Sequence, residues 1–342
     1  MTTANILSQL GSAGVSTGFK NRIINGAMVI DQRAAGASST AGNATYTTCD
    51  RWETFSVNAS KYSIQQNAGS ITPPVGYTNY LGATSTAATT LASTDYYFIS
   101  QRVEGFNIAD LAWGTANAKT VTLSFWVQSS LTGTFGGSIN SNSYARSYPF
   151  SYTISTANTW TQISVTIPGD TTGTWLTNNG IGLIVIFGLG CGSSVSGTAG
   201  SWSCATNLYS ATGATSVVGT SGATFYITGV QLEVGTTATN FDYRSYGTEL
   251  ALCQRYYETA TYTSNGYQFL GLLLQASNNC WTQYNYKVTK RAIPTFAIVS
   301  GSWTNATPTI SAAVDCIQFN ASAYFYLQGT SGNNAGSFTA EL

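Results

Sequence analysis

Histidine is absent from this chain of 342 residues. Its absence excludes Ser-His-Asp and Cys-His catalysis, the usual zinc sites and acid–base catalysis by imidazole.

Charge is also scarce. Asp, Glu, Lys and Arg make up 8% of the residues, against about a quarter in an ordinary soluble protein. The 13 basic and 13 acidic residues cancel, and no basic patch or tail is present. This excludes charge-driven binding to nucleic acid or to an anionic membrane. So few charges among many aromatic, Thr, Ser and Gly residues protect a monomer poorly from association, so we expect an oligomer or a component of a larger assembly.

Long apolar runs are missing. Residues 1–22 lack the basic region and the apolar region of a secretory leader. The longest apolar run, at 181–189, is about half the length of a membrane span. We therefore expect a protein that is made in a cytoplasm, does not leave by a standard leader and does not insert into a membrane.

Cysteine is present, but its spacing does not indicate a disulfide framework. The six cysteines include no C-x-x-C pair and are too few for a disulfide scaffold in a chain of this length. Cys191 and Cys204 flank a Gly/Ser-rich loop. They are either bridged once the protein meets an oxidising medium, or remain small buried hydrophobic side chains in a reducing one.

Strand-like alternation is abundant. Apolar residues alternate at 121, 123, 125 and 127, and further short segments bounded by Gly, Ser, Thr, Asn or Pro lie at 97–103, 148–154, 161–167, 181–187 and 223–234. Residues 22–31 resemble a first strand interrupted at Asn25-Gly26. The pattern is typical of antiparallel sheets and not of βαβ units. It predicts an all-β protein in which residues 21–244 form a jelly-roll β-sandwich.

The clearest change of period falls at residues 245–257. Ser245 can cap a short helix, with Glu249 near its positive end and Arg255 near its negative end. Alternation resumes over 258–342. We predict a linking helix at 245–257 followed by a smaller, β-sandwich-like C-terminal domain at 258–342.

Two segments lack a regular pattern. Residues 1–20 are small, polar and punctuated by Gly, so they bury little by themselves. We interpret them as an N-terminal attachment or subunit-contact segment. Residues 190–222 form a long low-complexity loop, and such a loop inside a compact domain is either functional or a contact between subunits.

Candidate chemical groups are few. Asp50 and Glu53 are an acid pair of the kind used in glycoside hydrolysis, but Arg51 beside them favours a local ion pair. Trp175 and Trp202 lie in polar loops, where an aromatic ring either contacts a glycan or partner protein or packs under its own loop. No catalytic residue is predicted.

Several motifs together resemble structural proteins of tailed bacteriophages and prophages. They are NRIINGAMVIDQR at 21–33, DRW at 50–52, SQRVEG at 100–105, VTLSFWVQSSLTGTF at 121–135, IPGDTTGTW at 167–175, FYITGVQLEVG at 225–235 and YGTELALCQRYY at 246–257. The resemblance implies a virion-surface fibre protein, commonly a homotrimer, with a structural or adhesin role. Other virion proteins would then be its partners through residues 1–20.

The first domain also resembles carbohydrate-binding jelly rolls, whose last strand has the form FYIDDVSLE. Phe225, Leu232 and Glu233 keep that frame, but Thr228 and Gly229 replace the two acids. The family often holds a structural Ca²⁺ near this strand, and calcium needs several oxygen ligands that include carboxylates. The resemblance therefore implies the fold more strongly than the metal, and leaves Glu233 as a weak calcium candidate.

Three functional hypotheses follow. The first is a virion structural protein, as a tail fibre subunit that binds a host-surface polysaccharide or as a neck or capsid fibre or decoration protein. The second is a free carbohydrate-binding module. The third is a polysaccharide depolymerase, which lacks a prominent acid pair. A protein of the first kind would be made in the host cytoplasm and displayed on the virion surface.

Overall fold

The computed structural model describes residues 20–261, 267–273, 280–329 and 334–342, and only the backbone of residues 267, 268 and 270–273. The predicted attachment segment 1–20 therefore lies outside the described residues, except for Lys20. Among the described residues, no helix is long and apolar enough to cross a membrane.

The first domain consists of strands joined by turns. The strands are β1 (Ser39–Thr40), β2 (Glu53–Ser56), β3 (Tyr62–Gln66), β4 (Leu81–Ser85), β5 (Tyr96–Glu104), β6 (Val121–Ser129), β7 (Gly133–Asn140), β8 (Ser147–Ile154), β9 (Thr161–Ile167), β10 (Ile181–Cys191), β11 (Ser196–Gly197), β12 (Ser210–Ala211) and β13 (Thr224–Val234). Short 3-10 turns occupy Ala68–Ser70, Gly105–Asn107, Ala109–Leu111 and Ser193–Val195.

Two antiparallel sheets enclose the core of this domain. The six-stranded sheet has the order β1-β3-β4-β13-β6-β9, and the five-stranded sheet has the order β2-β5-β10-β7-β8. Val121, Leu123, Phe125 and Val127 of β6 are all buried, and the Phe125 ring lies 5.0 Å from that of Phe187 in β10. The predicted jelly-roll β-sandwich is confirmed.

Residues 22–31 differ from the predicted interrupted strand. They lie beside β13 and hydrogen-bond it, with Arg22 N donating to Leu232 O and Val230 N donating to Gly26 O, but they form no regular strand. The reason is a tight turn at Asn25, whose φ of 57° is left-handed. A Cβ atom on Gly26 would lie 2.2 Å from Val230 O, so glycine is required for this close approach.

The linking helix α1 (Tyr246–Gln254) begins as predicted, with Ser245 as its N-cap accepting a hydrogen bond from Thr248 N, but it ends at Gln254 and not at residue 257. Its Cys253, together with Tyr256 beyond the helix end, packs against Ile24 and Ile30. The helix therefore fastens residues 22–31 to the rest of the domain.

The C-terminal domain is a second, smaller β-sandwich. Its strands are β14 (Tyr257–Thr261), β15 (Tyr267–Leu273), β16 (Cys280–Asn285), β17 (Thr295–Ile298), β18 (Ser302–Thr304), β19 (Thr309–Ala312), β20 (Cys316–Ala321), β21 (Phe325–Gln328) and β22 (Asn334–Thr339). They form a three-stranded sheet, β14-β22-β17, and a six-stranded sheet, β18-β21-β15-β16-β20-β19. A separate aromatic core that includes Phe269, Phe319, Phe325 and Phe338 fills the space between them.

Buried ion pairs join the two domains. Glu341 binds Arg33 at 2.7 Å and also binds Arg51, and the Arg51 guanidinium lies 3.6 Å from the ring centroid of Tyr256. Asp50 and Glu53, which are 0% and 1% exposed, pair with Arg33 and Arg102 at 4.0 and 3.0 Å. The local ion pair with Arg51 that the sequence indicated is therefore wrong, because Arg51 pairs with Glu341 instead. The proposed acid pair is therefore a structural element, out of reach of a substrate.

The free energy of unfolding should fall by roughly 3–5 kcal/mol as the pH rises from about 5 to about 8. Burial raises the pKa of both Asp50 and Glu53 to about 7. Between the ordinary carboxyl pKa and that value, the folded protein binds more protons than the unfolded chain, so stability falls with rising pH. No histidine titrates in this window because the chain has none.

Urea unfolding at several pH values measures this effect. The double variant Asp50→Asn, Glu53→Gln should flatten the profile, and a stability that rises across the window in the parent protein contradicts the prediction.

Candidate functional site

A cleft of about 250 Å³ lies where the first domain meets the start of α1. Its walls come from three distant parts of the chain: residues 27–29, 76–78 and 241–249. It is therefore formed only when the helix packs against the sandwich.

Aromatic rings make up one side of the cleft. The ring centroids of Tyr77 and Phe241 are 5.4 Å apart, those of Tyr77 and Tyr243 are 5.7 Å apart, and those of Phe241 and Tyr243 are 4.9 Å apart. Tyr243 remains 59% exposed. Burial, together with a hydrogen bond to Tyr243, raises the pKa of Tyr77, so its phenol stays neutral and is held against Tyr243.

A bulge in β13 places Tyr77. The register with β6 shifts between Thr228 and Gln231, and Gly229 within the bulge has a φ of +62°. A Cβ atom at Gly229 would lie 2.6 Å from the Tyr77 ring, and Thr228 Oγ1 donates to Asn79 O at 2.7 Å. The residues that replace the two acids of the carbohydrate-binding frame thus support this aromatic wall.

Arg244 and Glu249 form the polar side of the cleft. Arg244 Nη1 lies 3.4 Å from both carboxylate oxygens of Glu249 and donates to Ile23 O at 3.1 Å. Glu249 is 7% exposed and also accepts from Asn25 N. The cleft therefore places a fixed, internally paired charge beside aromatic rings.

Sequence reasoning missed this cleft. Tyr77 and Tyr243 lie in Pro/Gly-rich and turn-rich segments, where single aromatic residues are commonplace. The only local signal was the aromatic pair in NFDYRS at 240–245, and it does not indicate the partner across the cleft.

The structure places Trp175 and Trp202 in one aromatic cluster with Trp113. The three ring centroids are 4.7–5.5 Å apart. Trp175 is 7% exposed and donates through Nε1 to Asp170 at 3.2 Å, whereas Trp202 is half-buried and donates to Pro168 O. Trp175 is thus buried between the turn that carries Trp113 and the loop that carries Trp202, and any ligand contact at this cluster would fall to Trp202.

Cys191 and Cys204 are both free thiols in the structure, not bridged to each other. Burial raises the pKa of Cys191 to about 12, while Cys204 is exposed beside Arg146. The two thiols therefore lie in different environments, Cys191 half-buried at the end of β10 and Cys204 exposed on the loop.

Glu233 is 3% exposed, and its carboxylate accepts hydrogen bonds from Thr239 N, Thr239 Oγ1 and Gln231 Nε2. Within the described ranges, no three residues of His, Cys, Asp or Glu come together as a metal site. Glu233 therefore ties the end of β13 to the following turn through protein donors.

Comparison with known proteins gives fold likenesses at low identity. No family model and no curated protein matches the sequence. The enzymatically active domain of tailspike protein 4 from bacteriophage CBA120 matches at 10% identity over 63% of this chain and 21% of that chain, with a TM-score of 0.33. A putative sugar binding protein from Bacteroides thetaiotaomicron matches at 12% identity over 63% of this chain and all of that chain, with a TM-score of 0.38.

A third structure, the family 11 carbohydrate-binding module from Clostridium thermocellum, matches at 12% identity over 60% of this chain and all of that chain, with a TM-score of 0.29. The present chain spans only 21% of the tailspike structure. Identities and TM-scores this low show nothing about the function of this chain.

Proposed function

We propose that this chain is a non-enzymatic structural protein of a tailed-phage particle, a tail fibre subunit that binds a host-surface glycan. The phage-like motifs between residues 21 and 257 and the low charge support the virion assignment. A neck or capsid fibre or decoration protein is the alternative location, and a free carbohydrate-binding module is the alternative function.

The aromatic cleft is the observation that carries the glycan-binding role. The rings of Tyr77, Phe241 and Tyr243 and the hydroxyls of the two tyrosines line a cleft of about 250 Å³, a size that suits a single sugar ring. Aromatic faces pack against the apolar faces of sugar rings, and a tyrosine hydroxyl adds a hydrogen-bonding group. Arg244 and Glu249 supply fixed donors and acceptors for orientation.

The positions of Asp50, Glu53 and Glu249 support a binding role over a depolymerase activity. Asp50 and Glu53 are enclosed in the interdomain network, and Glu249 is paired with Arg244. Glycoside hydrolysis needs two acids that reach one bond of the substrate.

Replacing Tyr243 with alanine should weaken binding of the recognised sugar at least about tenfold, because the most exposed ring of the cleft is lost. A glycan array of bacterial surface sugars identifies the ligand, and calorimetry compares the affinities of parent and variant. Phe106→Ala is the matched control, since Phe106 is a similarly exposed aromatic residue, at 60%, on a turn away from the cleft. Equal affinities for the two variants contradict the assignment of the cleft.

Cryo-electron microscopy of the purified particle tests the virion role. Density on the tail supports a fibre, density on the neck or capsid supports the alternative location, and absence of the chain from the particle overturns the virion assignment.

The same proposal predicts a homotrimer in solution, and light scattering that gives a monomer at micromolar concentration contradicts it.

A further inference from the structure

The outward face of the six-stranded sheet in the C-terminal domain has an unusual composition. Three neighbouring strands place side chains on it in register, so that Trp281 lies opposite Asn320 and Gln283 lies opposite Gln318, with Thr309 and Ser311 completing the two rows. These residues are exposed or half-buried, whereas the alternate residues Ile317 and Phe319 point into the core. Trp281 is 49% exposed.

The amides on this face are already ordered. Gln318 Nε2 donates to Gln283 Oε1 at 3.1 Å, and Gln283 Nε2 donates to Asn285 Oδ1 at 2.6 Å. Each amide has two N–H donors and two acceptor lone pairs, so this chain of bonds fixes the side chains while leaving hydrogen-bonding capacity toward solvent. Neighbouring strands lie about 4.8 Å apart, which spaces the amides regularly.

Charge is absent from the face. Between residues 259 and 340 the only charged residues are Lys287, Lys290, Arg291 and Asp315. Lys290 is buried against Glu258, Arg291 binds Asn179 O and Glu341 O at the domain junction, and Lys287 and Asp315 lie outside the ends of β16 and β20. A ligand that suits this face is therefore neutral.

We propose that this amide and tryptophan face binds an extended, neutral polysaccharide. The Trp281 ring stacks on the apolar face of one sugar, and Gln283, Gln318 and Asn320 exchange hydrogen bonds with hydroxyl groups of the neighbouring sugars. The face is the open side of a sheet with exposed side chains in two rows, so it suits a chain of sugars better than a single ring. It is separate from the cleft lined by Tyr77 and Tyr243, so the two proposed sites can be tested independently.

A second copy of the chain is the other possible occupant, and the composition argues against it. Interfaces between identical subunits are more apolar than the remaining surface. Burying these amides without matched partners would cost free energy at each unsatisfied group. A polymer of hydroxyl groups supplies such partners along its whole length.

Affinity gel electrophoresis of the full chain tests the proposal. The gels contain a neutral glucan, mannan, galactan or xylan, or an acidic polyuronate. At least one neutral polymer should retard the parent protein. Trp281→Ala should then weaken that retardation at least tenfold, and Gln318→Ala by a smaller factor.

Matched controls are Phe106→Ala for the exposed ring and Gln162→Ala for an exposed strand amide of the first domain. Both should migrate like the parent, and circular dichroism checks that all variants are folded.

Three results overturn the proposal: no retardation by any neutral polymer, preference for the polyuronate, or Trp281→Ala behaving like Phe106→Ala. A change of oligomeric state in folded Trp281→Ala, without loss of retardation, would assign the face to a second copy instead. Tyr243→Ala separates the two sites. If it abolishes polymer binding while Trp281→Ala does not, the cleft remains a glycan site and this face does not.

Discussion

Replacing Gly26 with alanine should destabilise the protein by about 3 kcal/mol or more, at the upper end of what overpacking costs. The added Cβ would lie 2.2 Å from the carbonyl oxygen of Val230, which is backbone of the long strand β13. This carbonyl group cannot move aside as a flexible side chain can. The hydrogen bond from Val230 N to Gly26 O would have to lengthen, and the turn that holds Asn25 would shift.

Chemical denaturation of Gly26→Ala measures this loss. Gly247→Ala is the matched control, because Gly247 lies in α1 and an added Cβ there meets nothing within 4 Å. That control should be neutral or stabilise by roughly 0.5–1 kcal/mol, as alanine favours helix over glycine. A Gly26→Ala protein as stable as the parent contradicts the close packing of residues 22–31 on β13.

Replacing Lys290 with methionine should destabilise the C-terminal domain by roughly 3–5 kcal/mol, the usual cost of breaking a fully buried ion pair. Lys290 Nζ lies 2.6 Å from Glu258, and both side chains are 0% exposed. The ammonium also donates to Gln254 O at the end of α1. The variant leaves the Glu258 carboxylate buried, with Tyr284 and the Lys287 backbone as its remaining donors.

Hydrogen exchange at β16 and β20 reports this domain separately from the first. Lys287→Met, at an exposed lysine three residues away, should change protection by less than about 0.5 kcal/mol. The double variant Lys290→Met, Glu258→Gln should recover part of the loss, because no unpaired charge remains. If Lys290→Met and Lys287→Met change protection equally, the structural role of the Lys290–Glu258 pair is contradicted.

Local patterns predicted the elements that depend on local physics. The alternation of Val121, Leu123, Phe125 and Val127 indicated β6 because each of those side chains points into the core. Ser245 marked the start of α1 because capping is a short-range hydrogen bond. The outline of the two sandwiches followed from such signals.

What could not be predicted depends on contacts between distant residues. Trp175 is buried because the turn that carries Trp113 and the loop that carries Trp202 both reach it, and nothing in the residues around Trp175 indicates either partner. The cleft requires Tyr77 to meet Tyr243 across a bulge at Gly229. Alternation alone also predicted too much regular strand at residues 22–31, because it does not reveal that Asn25 adopts a left-handed turn.

The ion pairs of Glu341 with Arg33 and Arg51 also have a kinetic consequence. Their partners are separated by 308 and 290 residues along the chain, so a ribosome exposes both arginines long before it adds the glutamate. Domains fold in the order in which they are synthesised, and contacts of such separation close late. The first sandwich therefore assembles with two guanidinium groups still hydrated, and the contact between the domains closes only after Glu341 has been translated.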